Sequence, residues 1–338
     1  MEKSITVLPE EADLRLDRVL ARLLPDMGLR GRRRLCELGL ALVNGHPAKE
    51  SKKLREDDVV TVSETAPAAE SSAEKASPPQ SSARSQESAP LFPEDKPRVI
   101  RRTQRFAIVH KPAAMHTESL AGKPGDSLQT TLPQLLGPQK SRIRLLNRLD
   151  YPTSGLVTVA LNEAAVHDYQ DYQDAGQTEK RYLALLEGEM TRSMLATQRL
   201  FLKHRERVLV ELAPHPDRRR HTAVEPLAVL EMAPLMRRLG LDRLGWQGTP
   251  PRFVTLAGCA ILKGARHQIR AHCSALGFPL LGDRRYGASF CPAEEDGETF
   301  FLHHACLLLP GFETNVIPPW LGHLGSSAAR EAEIWMME

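Results

Sequence analysis

Residues 145–162 read LLNRLDYPTSGLVTVALN and set one carboxylate, Asp150, between an Arg-Leu pair and a Pro-Thr-Ser-Gly turn that feeds an apolar strand. Asp commonly opens a turn by hydrogen bonding its own downstream backbone, which would account for the residue on local grounds. The other reading is chemical, and the rest of the chain has to decide between them.

Outward from this stretch, RFAIVHKP (105–112), KRYLALLEG (180–188), HTAVEPLAVLE (221–231) and PRFVTLAGCAIL (251–262) read as further strands, each bounded by Gly, Pro or polar residues. Helical stretches are fewer: SLQTTLPQLLG (127–137), EAAVHDYQDYQ (163–173) and HQIRAHCSALG (267–277). Strands outnumber helices without regular alternation. That predicts an α+β domain over residues 98–338, with a mostly antiparallel mixed sheet and flanking helices. No internal repeat is present.

Residues 64–97, ETAPAAESSAEKASPPQSSARSQESAPLFPEDKP, are Ser, Ala, Pro and Glu with no large apolar residue before Leu91. Such a composition cannot offset ordering entropy by burial, so a flexible linker is expected. Ahead of it lies a small α/β domain, residues 1–63. Leu16, Val19, Leu20, Leu23 and Leu24 follow helical spacing and Pro25 stops the run. GRRRLCELG (31–39) suggests a second short helix, Asn44-Gly45 a tight hairpin and DDVVTV (57–62) a closing strand. Arg30, Arg32, Arg33 and Arg34 crowd one helix start. Such a cluster is either a solvated helix end or a phosphate-binding face.

With 41% apolar and 26% charged residues among 338, the composition is that of a soluble globular chain. The apolar runs fall short of the roughly 18 residues of a membrane span. The acidic start MEKSITVLPEEADLRL lacks a signal-peptide pattern, and a cytoplasmic location is expected. The five cysteines show neither CxxC nor zinc-ligand spacing, so reduced thiols and no metal site are expected. Net charge is only +3, but the linker holds six acids against three bases, which leaves about +6 on the remainder. A basic folded surface suits a polyanionic partner.

The small domain, LRLDRVLARLLPDMGLRGRRRLCELGLALVNGHPAKESKKLREDDVVTV (14–62), resembles the RNA-binding domain named after ribosomal small-subunit protein S4, with departures at Gly31 and Asp57. The resemblance implies RNA binding through Arg30, Arg32, Arg33 and Arg34.

Several ordered motifs after the linker resemble the RluA-type RNA pseudouridine synthases. NRLDYPTSG (147–155) is similar to their His-Arg-Leu-Asp signature, with Asn147 in place of His. KPAAMHT (111–117), KRYLALLEG, GARHQIRAHCSALGFPLLGDRRYG (264–287) and FLHHACLLLP (301–310) follow in the family's order, with Ala265-Arg266 replacing Arg-Thr. The resemblance spans roughly residues 98–311. It implies that Asp150 is the catalytic carboxylate, that Arg270 pairs with it, and that Tyr182 lies against the target base and is a candidate general base. It further implies that Arg148 reorganises RNA around a flipped nucleotide. No cofactor is needed, because the isomerisation adds and removes no group. The expected partner is RNA, large-subunit ribosomal RNA ahead of transfer RNA, and the expected state a monomer. His215, His221, His303 and His304 lack a ligand pattern and are expected to be structural or on the surface. GxSxG is absent, so Ser154 is no nucleophile elbow. The rival reading, favoured by Asn147, is a non-catalytic RNA-binding or ribosome-assembly factor with the same fold.

Overall fold

The structure is a computed structural model that describes residues 3–24, 32, 35–36, 40–62, 95–119, 127–137, 143–202, 207–243, 245–293 and 298–338. The chain divides into two compact units, Met1–Ser81 and Ser82–Glu338. Most of the expected linker, residues 64–94, lies outside the described residues, as do Arg30, Arg33 and Arg34.

In the first unit, strands β1 (Lys3–Thr6), β2 (Ala41–Val43), β3 (His46–Pro47) and β4 (Val59–Val62) form an antiparallel sheet in the order β1-β4-β2-β3. Helix α1 (Leu16–Leu23) buries Leu16, Val19 and Leu20 against Ala41, Val43, Leu54 and Val60, as its spacing predicts. Asn44 and Gly45 both take positive φ, 52° and 81°. Two such residues suit the twist of a two-residue hairpin. The Asn44 amide also fixes the neighbouring strand, donating to Asp58 and accepting from the Val59 N–H, both at 2.8 Å.

The second unit is built on one ten-stranded sheet. Its strands are β5 (Arg98–Arg102), β6 (Phe106–Lys111), β7 (Arg144–Leu145), β8 (Ser154–Ala160), β9 (Glu179–Glu187), β10 (Met194–Ala196), β13 (Thr222–Glu231), β15 (Phe253–Ile261), β17 (Leu302–Leu309) and β18 (Phe312–Asn315). The main order is β10-β13-β15-β9-β17-β8-β6-β5, with β18 on β17 and β7 on β8. Two ribbons stand apart from it, β11 (Gln198–Phe201) with β12 (Leu209–Pro214) and β14 (Trp246–Gly248) with β16 (Phe290–Pro292). Every pairing between these strands is antiparallel except β8 with β17, so the sheet is mixed as expected.

Both faces of this sheet are covered, which is why its central strands are near-continuous apolar runs. Alternation along β9 sends Tyr182, Ala184 and Leu186 to one face and Leu183 and Leu185 to the other. The first face packs against helices α2 (Leu128–Leu136) and α5 (Gln268–Ala275). The second is covered by α3 (Glu163–Asp174), α4 (Met232–Leu239) and α6 (Ser326–Met337). Helix α6 seats because Gly258 has no side chain: a Cβ there would lie 2.3 Å from the Trp335 ring. The unit also holds Asp95, which falls within the expected linker. Buried His110 bonds its carboxylate through Nε2 at 2.8 Å.

The parallel contact explains the Thr-Ser-Gly run. Ser154 and Gly155 pair with His303 and His304, and Ser154 Oγ is hydrogen bonded to His303 Nδ1 at 2.7 Å. Gly155 has φ +115°, and a Cβ on it would stand 2.3 Å from the His304 carbonyl oxygen. Only glycine lets β17 come that close at this backbone angle. The start of β8, and so the turn that carries Asp150, is thereby fixed to the centre of the sheet.

Candidate active site

The turn before β8 is closed by the Asp150 backbone: its carbonyl accepts the Thr153 N–H at 3.1 Å. The carboxylate does not bond its own turn, as a turn-opening Asp would. Oδ2 instead accepts from Arg270 Nη1 at 3.1 Å, and Oδ1 lies 3.7 Å from His267 Nε2. The side chain keeps partial exposure toward a cleft of about 260 Å3.

Arg270, on α5, is 1% exposed, far from the surface arginine that an amphipathic helix would otherwise suggest. Two bonds hold it to Asp283, Nε to Oδ2 at 2.7 Å and Nη2 to Oδ1 at 2.8 Å. Its guanidinium carbon lies 4.3 Å from the Phe300 ring centre and 5.0 Å from that of Tyr286. Burial alone would lower its pKa, but the Asp283 hydrogen bonds and the charges of Asp283, Asp150 and Glu298 raise it above the ordinary arginine value. Arg270 is therefore a fixed cation, and a fixed cation keeps a neighbouring carboxylate ionised in a partly dry cleft.

His267 caps α5 in a left-handed conformation, φ +53°, with Nδ1 2.9 Å from the Tyr286 hydroxyl. Burial, aided by the charges of Arg270, Arg285 and Arg266, outweighs Asp150 and lowers its pKa to about 4. The imidazole facing Asp150 is thus neutral at pH 7.

Tyr182, on β9, lies 4.5 Å from His304 in a stacked arrangement with 14° between the rings. Burial, then the neighbouring Tyr169 and Asp150, push its phenol up from the ordinary value. The ring is a fixed apolar wall of the cleft, and its phenolate is harder to form than a free tyrosine's. Lys180 lies two residues earlier on the same strand and also lines the cleft, and burial lowers its pKa to about 8. Buried Lys111, lowered to about 7 by burial against the pull of Asp150 and Asp95, donates to the carbonyls of Pro112 (2.8 Å), Met115 (2.7 Å) and Tyr151 (3.4 Å). It ties the segment after β6 to the turn that follows Asp150.

Arg148 sits on the rim of the cleft, exposed, with Nη1 2.9 Å from Glu118. Asn147, where the family pattern has His, serves the sheet: Oδ1 accepts the Thr158 N–H at 2.7 Å and Nδ2 donates to the Leu156 carbonyl at 3.3 Å. His303 and His304 are buried between strands, the structural half of what was expected of them. Among the described residues no three His, Cys, Asp or Glu side chains gather as metal ligands. No helix among them is long and apolar enough to cross a membrane.

Asp150, Tyr182, Arg270 and Arg148 therefore line one cleft, although the sequence separates the first from Arg270 by 120 positions. Arg32 belongs to the other unit and is helical. Sequence reasoning missed Asp283, His267, Lys180 and Lys111 as site residues. Each was visible only as a letter inside a quoted motif, in GDRRYG, HQIR, KRY and KPAAMHT.

The family model for RNA pseudouridylate synthases matches residues 105–275, which include the whole Asp150–Tyr182–Arg270 constellation. The chain belongs to that family. It is accordingly an RNA-modifying isomerase. A relative from Aquifex aeolicus described as an uncharacterized RNA pseudouridine synthase is 27% identical over 325 residues, 93% of this chain and 89% of that one. Ribosomal large subunit pseudouridine synthase D of Yersinia pestis is 24% identical over 326 residues, 94% and 85% of the two chains. The structure of human RNA pseudouridylate synthase domain containing 1 superposes with a TM-score of 0.51 at 24% identity, covering 69% of this chain and 87% of that one, and has the same fold.

Proposed function

We propose that this synthase isomerises uridine in structured RNA, with large-subunit ribosomal RNA as its substrate, and that Asp150 acts at the ribose. The carrying observation is the Asp150–Arg270 contact: a partly exposed carboxylate aimed into a cleft by a buried arginine that is itself anchored on Asp283. Such a carboxylate can serve as nucleophile or base at the sugar, dividing one hard displacement into two easier steps.

The bond from C1′ to N1 breaks, the uracil turns in the cleft, and C5 joins C1′. The C5 proton is released and N1 takes one up, so nothing else enters or leaves. The base must first be extruded from its stack, at about a few kcal/mol in a duplex and less in a loop. The Tyr182 ring offers the extruded base a flat apolar wall. Its raised pKa argues for this stacking role over proton abstraction at neutral pH. Arg148 suits work on the displaced strand, since its exposed pair with Glu118 is worth about 0–1 kcal/mol and is readily exchanged for a phosphate.

The first unit acts as an RNA tether of the S4 type, using the Arg30–Arg34 cluster to bind phosphates. Its helix and hairpin sheet suit that reading, and the alignment with the Yersinia pestis enzyme over nearly the whole chain favours a ribosomal substrate. Asn147 favours a non-catalytic factor less than its sequence position suggested, because its amide meets backbone partners and leaves Asp150 and Arg270 in contact. The test is tritium release from RNA labelled at carbon 5 of uridine: release supports the function, and none from ribosomal or transfer RNA contradicts it.

A further inference from the structure

We propose that Lys180 reads a carbonyl of the flipped base and so admits uracil while rejecting cytosine. This rests on the reading that the cleft takes a uridine with its ribose at Asp150.

Lys180 is 3% exposed, yet among the described residues its ammonium has neither a hydrogen bond nor an ion pair. Its Nζ lies over the face of Tyr169, 5.5 Å from the ring centre. Holding a charged lysine in so nearly buried a side chain without a protein acceptor is costly, and an apolar side chain of similar volume would serve packing better. Lys180 nevertheless lines the cleft, on the same face of β9 as Tyr182. Its pKa of about 8 leaves it mostly protonated at pH 7. It is a donor waiting for an acceptor.

Its location suits the far edge of a pyrimidine. Strand β8 begins level with Leu183 and runs toward the Lys180 end of β9, while the turn that carries Asp150 precedes β8, which sets Lys180 beyond Tyr182 as seen from that turn. A uracil with its glycosidic nitrogen at Asp150 points O4 toward that end. An ammonium has three donors and no acceptor, so it fits a carbonyl oxygen and opposes the amino group that cytosine carries there.

The isomerisation makes this contact doubly selective. Turning uracil about its N3–C6 axis puts C5 where N1 stood and, by the ring's pseudo-symmetry, puts O2 where O4 stood. Lys180 meets a carbonyl oxygen before and after the turn. When the C1′–N1 bond breaks, the electron pair stays with the uracil and its charge spreads onto O2 and O4, so the same ammonium stabilises the detached base. Cytosine has a carbonyl at only one of those two places.

The test separates this claim from the function beneath it. Binding is measured in the Asp150→Asn protein, with RNA fragments that carry uridine or cytidine at one mapped target position. Uridine should bind about tenfold tighter, and adding Lys180→Met should bring the ratio to about one. In the otherwise native enzyme, Lys180→Met should slow single-turnover isomerisation about 100-fold, in line with loss of one donor to a developing oxyanion. Lys180→Gln, whose amide both donates and accepts, should also lose the preference and serves if the Met variant fails to melt cooperatively. An unchanged uridine preference and rate in either folded variant, while the wild type releases tritium, would overturn the role of Lys180 alone. A wild type that releases none would overturn the function and this inference together.

Discussion

Arg270 reaches Asp150 with one hydrogen bond of 3.1 Å while Asp283 holds the same guanidinium with two shorter ones, at 2.7 and 2.8 Å. The grip is asymmetric. The buried acid sets the position of the arginine, and the arginine sets the position of the carboxylate that faces the cleft.

Asp283→Asn should therefore damage turnover without touching RNA. A misplacement of the order of 1 Å at a reacting group costs about 100-fold in rate. A fall in kcat of that order with an almost unchanged KM is expected from single-turnover kinetics, and native kcat would show that Arg270 keeps its place without this anchor.

Gly155→Ala should destabilise the second unit by about 2–4 kcal/mol, the range of changes that force backbone strain or overpacking in a core. The new Cβ would meet the His304 carbonyl at 2.3 Å with φ at +115°. Urea unfolding measures the loss. A change below about 0.5 kcal/mol, typical of an uncrowded surface site, would mean that β8 and β17 part easily.

These two residues show what the motif did and did not disclose. Residues 145–162 were readable as a turn entering an apolar strand, and alternation along 180–188 placed Tyr182 on one face. The resemblance then supplied Arg270. What the letters could not carry was depth. Nothing in GDRRYG distinguishes a buried Asp283 from a surface turn, and nothing in KRY says that Lys180 lies nearly buried in the wall of the cleft while its neighbour Arg181 bonds the Trp335 carbonyl. Helix α6 went unread for a similar reason, since SSAAREAEIWMM interleaves seven apolar with five polar residues and its apolar face has meaning only against the gap at Gly258. Asp150 was expected to open its turn and carry the chemistry. The turn uses its carbonyl, which leaves the carboxylate free of that duty.

Stability should decline in mild acid. Burial lowers His304 from 6.5 to about 3 and lowers His267 from 6.5 to about 4. Below pH 6.5 the unfolded chain takes up protons at these sites that the folded chain refuses. Each site therefore contributes nothing above that pH and costs up to about 1.4 kcal/mol per pH unit as the pH falls toward its folded value. Thermal melts from about pH 7 to 4.5 should fall more steeply for the wild type than for His304→Gln. Parallel curves would contradict a neutral, buried His304.

Replacing Arg30, Arg32, Arg33 and Arg34 together by Ala should flatten the salt dependence of RNA binding, by about one unit of slope for each arginine that neutralises a phosphate. Catalysis at saturating RNA should hold, since the candidate catalytic residues all belong to the second unit. An unchanged slope would return the cluster to a solvated helix end.

The central claim is that Asp150 performs the chemistry while contributing little to RNA affinity. Tritium release from uridine-labelled RNA, measured alongside RNA binding for Asp150→Asn, tests it most directly. The account predicts no detectable release, with a dissociation constant within about twofold of the wild type because phosphate interactions dominate affinity. Substantial release by the Asp150→Asn protein would contradict it.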